Sequence, residues 1–307
     1  MADLSIVRPG MFTTVQDLGR WGFQSRGVPV SGAMDRYSHV LANRLMGNPD
    51  TAATLEVTMM GPEIAFETDG TVVVAGAVFS LTLGHAPVEM HEIVEAKAGS
   101  ILKFGERRQG ARAYIAVAGG VDVPQVLGSR STHVLTRMGG LEGRALRAGD
   151  TIGTVSGSKG KGQGARAPHP SPLTPFELPQ GGVRVRVIPG EHVLFAHLAT
   201  QRFRISPNSD RMGYRLEGSA VADLPAGELI STAVATGAVQ LTPSGQPILL
   251  MADHATTGGY AIGATVITAD LPLAAQLAPG DWIEFEACSL AAADAALREQ
   301  EAALGGG

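Results

Sequence analysis

Apolar residues recur along this chain mostly at alternate positions or in short unbroken runs, the spacing of half-buried and buried strands. Runs at 63–66, 71–75, 78–83, 101–104 and 111–117 read as strands, and turn residues such as Asp69-Gly70, Gly84 and Ala98-Gly99 punctuate them. The second half repeats the plan with strands at 183–188, 201–205, 238–241, 247–252, 266–269 and 282–285. Helical spacing is rarer. Asp35 stands as a cap before Tyr37, Val40, Leu41 and Leu45, which share one face, and Gly47 is the stop. A short helix is read at 191–200, and an alanine-rich one spans 289–304.

The two halves share landmarks in the same order. Asp35-Arg36 aligns with Asp210-Arg211, Gly61 with Gly237, Asp69-Gly70 with Ser244-Gly245, and 99–104 with 280–285. An internal duplication would give two similar β-barrels whose corresponding loops face a shared cleft. Between the halves, 156–182 is rich in Gly, Ser, Pro and Lys and lacks periodicity, as linkers do. The expected organisation is an N-terminal β-rich domain at 1–155, this linker, a C-terminal β-barrel at 183–288, and a helix and tail at 289–307.

Polar residues gather where the pattern breaks. Between Thr13 and Arg36 the chain offers Thr13, Thr14, Gln16, Asp17, Arg20, Ser31 and Asp35 among Gly19, Gly22, Gly27 and Gly32. Read as a loop on tight turns, it lines a polar surface suited to a ligand; the plainer reading is a loop in which Asp17 pairs with Arg20. A second constellation, Asp253, His254, Thr256, Thr257, Gly258, Gly259 and Tyr260, follows an apolar run, so a strand end would fix it in place. There the hydroxyls and glycine amides can donate to a carbonyl or carboxylate, and Asp253 can accept. The alternative is a turn that Asp253 merely caps. Ser209, Asp210 and Arg211 form a third group, because a guanidinium beside a carboxylate can grip an anion or brace a loop. Glu56 is a fourth candidate, and Arg130, Ser131 and Gln240 are weaker ones.

Composition narrows the classes. Forty glycines and 18 prolines against 17% charged residues favour turns and short strands in a chain of 307 residues that is 44% hydrophobic, enough for two cores. A net charge of -5 and 5% aromatic residues argue against a nucleic-acid surface. Cys288 is the single cysteine, which rules out an intrachain disulfide, and the eight histidines lack metal-site spacing, so no metal is expected. The chain shows no P-loop, no biotinyl site and no signal-peptide pattern, and no apolar run approaches the roughly 20 residues that cross a bilayer. A cytoplasmic protein without membrane association is expected.

These residues carry a resemblance. The stretch 13–36, with Asn43, Gly47-Asn48 and Leu55-Glu56, resembles the opening of the KipA family, also called allophanate hydrolase subunit 2, whose members include a component of bacterial 5-oxoprolinase. It is also similar to part of the carboxyltransferase region of urea amidolyase. Further matches at 118–121, 127–132, 209–216 and 253–260 follow in order, and His254 departs from a position where relatives carry a cation. The resemblance implies a mainly β fold of two cyclophilin-like barrels with a few short helices. It also implies one subunit of an ATP-dependent 5-oxoprolinase, inactive alone, that opens 5-oxo-L-proline to L-glutamate with a KipI-like and a LamB/YcsF-like subunit.

In that reading ATP is used by the complex, Asp17 and Asp253 are the catalytic candidates, and Thr13, Thr14, Gln16, Arg20, Ser31, Asp35, Asn43, Glu56, Ser209, Asp210, Arg211, Thr256, Thr257, Gly258, Gly259 and Tyr260 bind substrate. Two alternatives stand beside it. One is a biotin-dependent carboxyltransferase subunit acting on urea or a related amide; the other is a non-enzymatic regulator that binds a KipI-like kinase inhibitor.

Overall fold

The computed structural model describes residues 3–155, 173–221 and 230–305. Contacts divide the chain into two units, Met1–Arg20 with Ser31–Leu178 and Ala303–Gly307, and Trp21–Val30 with Pro179–Ala302. Among the described residues the fold is mainly β, with two barrel-like sheets and four short helices.

The first unit carries ten strands: β1 (Leu4–Arg8), β2 (Phe12–Gln16), β3 (Thr54–Thr58), β4 (Glu63–Phe66), β5 (Gly70–Leu83), β6 (Ala86–Val88), β7 (Val94–Ala96), β8 (Ile101–Val117), β9 (Val121–Asp122) and β10 (Thr151–Thr154). They run in the order β2-β3-β8-β4-β1-β10-β9, and β5 pairs with β6, β7 and β8. The expected short runs at 71–75 and 78–83 are one strand, as are 101–104 and 111–117. What breaks the apolar pattern is irregular register between β5 and β8 around Gly76, Val78 and Phe79. Gly76 has φ +96, and a Cβ there would sit 2.5 Å from the Arg112 carbonyl oxygen, so only glycine lets the strands stay together through the bulge.

Helix α1 (Arg36–Met46) lays Tyr37, Val40, Leu41 and Ala42 against Val73 and Ala75 of β5 and Tyr114 and Ala116 of β8. Its ends are as expected. Asp35 accepts the Ser38 amide at 2.9 Å, and Gly47 closes the helix at φ +77. Most of the expected linker, 156–172, lies outside the described residues. Its apolar end belongs to the first unit, because Leu173 and Phe176 pack on the α1 cluster and Phe176 meets the Tyr37 ring edge-on at 5.3 Å.

The second unit closes seven strands into a barrel. Along the chain come β11 (Gly182–Pro189), α2 (His192–Ala199), β12 (Phe203–Ile205), β13 (Gly213–Glu217), β14 (Thr232–Ala233), β15 (Ala238–Leu241), β16 (Pro247–Leu250), β17 (Thr257–Gly258), β18 (Ala261–Val266), α3 (Leu271–Ala275), β19 (Trp282–Ala287) and α4 (Leu290–Ala303). The barrel order is β11-β18-β15-β16-β13-β12-β19, and β11 and β19 close it side by side and parallel. The strand expected at 266–269 is misplaced: β18 ends at Val266 and a short 3-10 turn follows. There Asp270 accepts the Arg186 amide at 2.6 Å and the Arg186 guanidinium, which pulls the backbone out of the sheet. A separate two-stranded ribbon pairs β14 with β17. Among the described residues no helix is long and apolar enough to cross a membrane.

Candidate functional site

The residues from Thr13 to Gln16 are a strand and not a loop. Both edges of β2 are covered: β3 pairs along one, while on the other Thr132 donates its amide to Val15 O at 2.9 Å and Leu146 donates to Thr13 O at 2.8 Å. Thr13, Thr14, Gln16, Asp17, Arg20, Ser31, Asp35, Asn43 and Glu56 are each less than a tenth exposed. The polar surface expected here is therefore a polar interior. Such an interior is tolerable only where its groups are hydrogen-bonded.

Asp17 is the hub of that interior. Its Oδ1 accepts from the Gly19 amide at 2.8 Å, from Ser129 Oγ at 2.6 Å and from Ser131 Oγ, while Oδ2 accepts the Arg130 amide at 2.6 Å. Burial opposes its charge, but the bonds from Ser129, Ser131, Arg130 and Gly19 outweigh it and hold the carboxyl below the ordinary value. The same loop is stitched to its neighbours through backbone carbonyls. Gln16 Nε2 donates to Thr132 O at 3.1 Å, Ser31 Oγ to the same oxygen at 3.0 Å, and Arg20 Nη2 to Ser131 O.

A second buried set sits at the start of α1. Tyr114 Oη donates to Glu56 Oε2 at 2.8 Å and accepts the Asp35 amide at 2.7 Å, and Glu56 Oε2 also accepts the Met34 amide at 2.8 Å. Burial, then the Glu56 and Asp35 charges, push the Tyr114 hydroxyl well above its ordinary value, so it stays a donor. One turn along, Asn43 Nδ2 donates to Ala52 O at 2.8 Å. His39 Nε2 lies 3.1 Å from Asp50 O and must donate to it, leaving Nδ1 to accept from Thr54 Oγ1 at 2.9 Å. Burial lowers the His39 pKa to about 4, so the ring is neutral.

In the second unit, Asp253 and Arg211 meet across 42 positions of sequence. Nε lies 2.9 Å from Oδ2 and Nη2 lies 3.1 Å from Oδ1, and the Asp253 amide donates to Arg211 O at 2.8 Å. Asp210 folds its own turn, accepting the Met212 and Gly213 amides, and Ser209 Oγ accepts the Arg215 amide at 3.1 Å. His254 donates from Nδ1 to Ala255 O at 2.6 Å, so Nε2 accepts from Thr236 Oγ1 at 3.0 Å. Burial pushes its pKa down, against the pull of the Ala255 carbonyl and Asp253. Thr257, Gly258, Gly259 and Tyr260 leave this anchored start toward the surface, with Thr257 and Tyr260 exposed.

The structure thus joins Gln16, Asp17, Arg20 and Ser31 through Ser131 and Thr132, gathers Asp35 and Glu56 around Tyr114, and pairs Arg211 with Asp253 beside His254. Tyr114, His39 and Thr54 were missed: polar residues inside strands or on the buried face of a helix, whose one signal was a hydrogen-bonding group in an apolar run; Ser129 lies in the turn at 127–132, marked only by the resemblance. A cavity of about 480 Å³ also went unmarked, between α2 and β19. Its charges serve one another, since Glu284 holds both Arg184 and Arg202. Among the described residues no cluster of His, Cys, Asp and Glu is arranged to hold a metal.

This fold and these networks place the chain in a class. It belongs to the family of the carboxyltransferase domain, subdomain A and B, whose model matches residues 26–287. The chain is 39% identical over 306 residues to a 5-oxoprolinase subunit of Escherichia coli (strain K12), an alignment covering 97% of this chain and 95% of that protein. It is 37% identical to the corresponding 5-oxoprolinase subunit of Haemophilus influenzae, covering 94% of this chain and 92% of that one. The crystal structure of the K. lactis urea amidolyase superposes with a TM-score of 0.89 at 31% identity, over 99% of this chain and 20% of that chain.

Proposed function

We propose that the chain is one subunit of an ATP-dependent 5-oxoprolinase, which adds water across the lactam C–N bond of 5-oxo-L-proline to give L-glutamate. The observation that supports it is end-to-end correspondence: 95% of the E. coli 5-oxoprolinase subunit is covered by this chain, against 20% of the urea amidolyase. That near-complete coverage fits the role of the same subunit, and the remaining chemistry falls to a KipI-like and a LamB/YcsF-like partner.

In this reading Asp17 and Asp253 are positioning groups. Asp17 already accepts four hydrogen bonds and Asp253 faces a guanidinium, so each holds donors in place and neither is suited to carry a proton. Within the second unit, the donors that follow Asp253, from Thr256 to Tyr260, serve to orient the substrate amide and its developing negative oxygen. ATP is used by the complex in this reading; the first turn of α1 is not where its phosphate sits, because the Asp35 carboxylate closes that turn.

The test is reconstitution. Co-purified with its two partners, the chain is expected to release glutamate from 5-oxo-L-proline only when ATP is supplied, and none when assayed by itself. Turnover by the lone chain, or none by the full assembly, overturns the reading. A second reading, carboxyl transfer from biotin to urea or a related amide, draws on the family model and the urea amidolyase likeness. It predicts urea-dependent loss of carboxyl from a carboxybiotinylated carrier, which the first does not.

A further inference from the structure

Gln240 is a buried amide whose nitrogen has nothing to hold. It lies on β15, where Val239 and Leu241 share one face of the strand and Gln240 takes the other. The residue is 6% exposed, and its Nε2 is buried without a hydrogen-bond partner. An unmet buried donor is costly, and one kept in a well-packed barrel calls for an explanation.

Two independent features converge on the same amide. Pairing of β15 with β18 slips by one residue here, Val239 facing Ala264 and Gln240 facing Ile262, so Gly263 is the extra residue of a bulge. Bulges re-aim side chains, and this one lies directly opposite Gln240. The second feature is Gly258 of β17. A Cβ there would stand 2.3 Å from Gln240 Nε2 and 3.2 Å from its Cδ, so the absent side chain is what leaves room for the carboxamide. Above it, β14 and β17 form a ribbon of only two residue pairs, Thr232 with Gly258 and Ala233 with Thr257. Asp253, gripped by Arg211, anchors the start of the loop that enters this ribbon.

We propose that Gln240 Nε2 is the donor that reads a carbonyl or carboxylate oxygen of a small ligand at the 253–260 loop, the β14–β17 ribbon lifting to admit it. The ligand supplies the acceptor that the barrel withholds. Naming that ligand as 5-oxo-L-proline rests on the function proposed above, since the lactam carries both kinds of oxygen; the donor role of Gln240 does not.

The experiment uses the assembled complex, with Gln240→Glu, which keeps the shape and removes the donor, and Gln240→Met, which removes it without adding charge. Dialysis gives Kd for 5-oxo-L-proline and steady-state assays give KM and kcat. Expected is a rise in Kd and KM of about tenfold with kcat within about twofold of the parent. Gln246→Glu, whose amide is spent on the Gly218 carbonyl, is the control and should behave as the parent. Unchanged Kd and KM in both Gln240 variants overturn the proposal. Should the parent complex ignore 5-oxo-L-proline, the functional reading fails, and dialysis against urea, acetamide, acetate and L-glutamate then decides the donor role. A compound bound by the parent and weakened by both variants upholds it; none bound, or equal binding, overturns it.

Discussion

Arg211 and Asp253 grip each other through two hydrogen bonds, Nε to Oδ2 at 2.9 Å and Nη2 to Oδ1 at 3.1 Å, with side-chain exposures of 8% and 6%. Removing one charge strands the other in a dry place. Asp253→Asn is expected to destabilise the second unit by about 3 to 5 kcal/mol, while Arg211→Met with Asp253→Leu recovers most of the loss. Urea unfolding of the two variants checks both halves, and equal losses in the single and the double variant would defeat it.

Asp17 should make its mark in acid. Its folded pKa is depressed, so its stabilisation is fully present above the ordinary value of 3.8 and disappears as pH falls from there through the lower folded value. Asp17→Ala should unfold more easily at neutral pH by about 2 kcal/mol, and its acid limb should be shallower than the parent's. Urea midpoints measured from about pH 6 to pH 2 give the comparison. Parallel curves would mean that the four hydrogen bonds do not favour the charged form.

His39 acts in the next window up. Its folded pKa of about 4 lies below the ordinary 6.5, so the unfolded chain binds the extra proton between these values and stability falls as pH drops from 6.5 to 4. The loss from this ring alone is about 3 kcal/mol. In a proton NMR titration the His39 ring should stay neutral down to about pH 5. A midpoint near 6.5 would show that the ring is hydrated in the native protein.

The loop that Asp17 pins has a glycine dependence of its own. Gly140 has φ +56, and a Cβ there would lie 2.0 Å from Thr132 Oγ1, whose hydroxyl donates to Val15 O at 2.9 Å. Gly140→Ala should therefore cost about 2 kcal/mol or more, through strain and the displaced Thr132 bond. Thermal unfolding measures it, and an unchanged midpoint would show that the loop has room to shift.

Much of this architecture could be read in the chain, and the rest could not for a definite reason. The strands at 63–66 and 238–241 and the ends of α1 followed from local signals: alternation, an aspartate cap, a glycine stop. The same polar signal misled at β2, where Thr13, Thr14 and Gln16 looked like a loop. Their partners, Thr132 and Leu146, lie more than a hundred positions away and no local pattern announces them. The candidate residues were legible as a group, but their burial was not. Asp17 depends on Ser129 and Ser131, and Arg211 on Asp253, and such pairings belong to topology and not to spacing.

The parallel closure of the barrel bears on how the protein is made. Arg184 and Glu284 face each other across the β11–β19 seam although 100 positions separate them. A ribosome must therefore deliver the chain through β19 before the ring can shut, and until then β11 offers an unpaired edge to any neighbouring nascent chain.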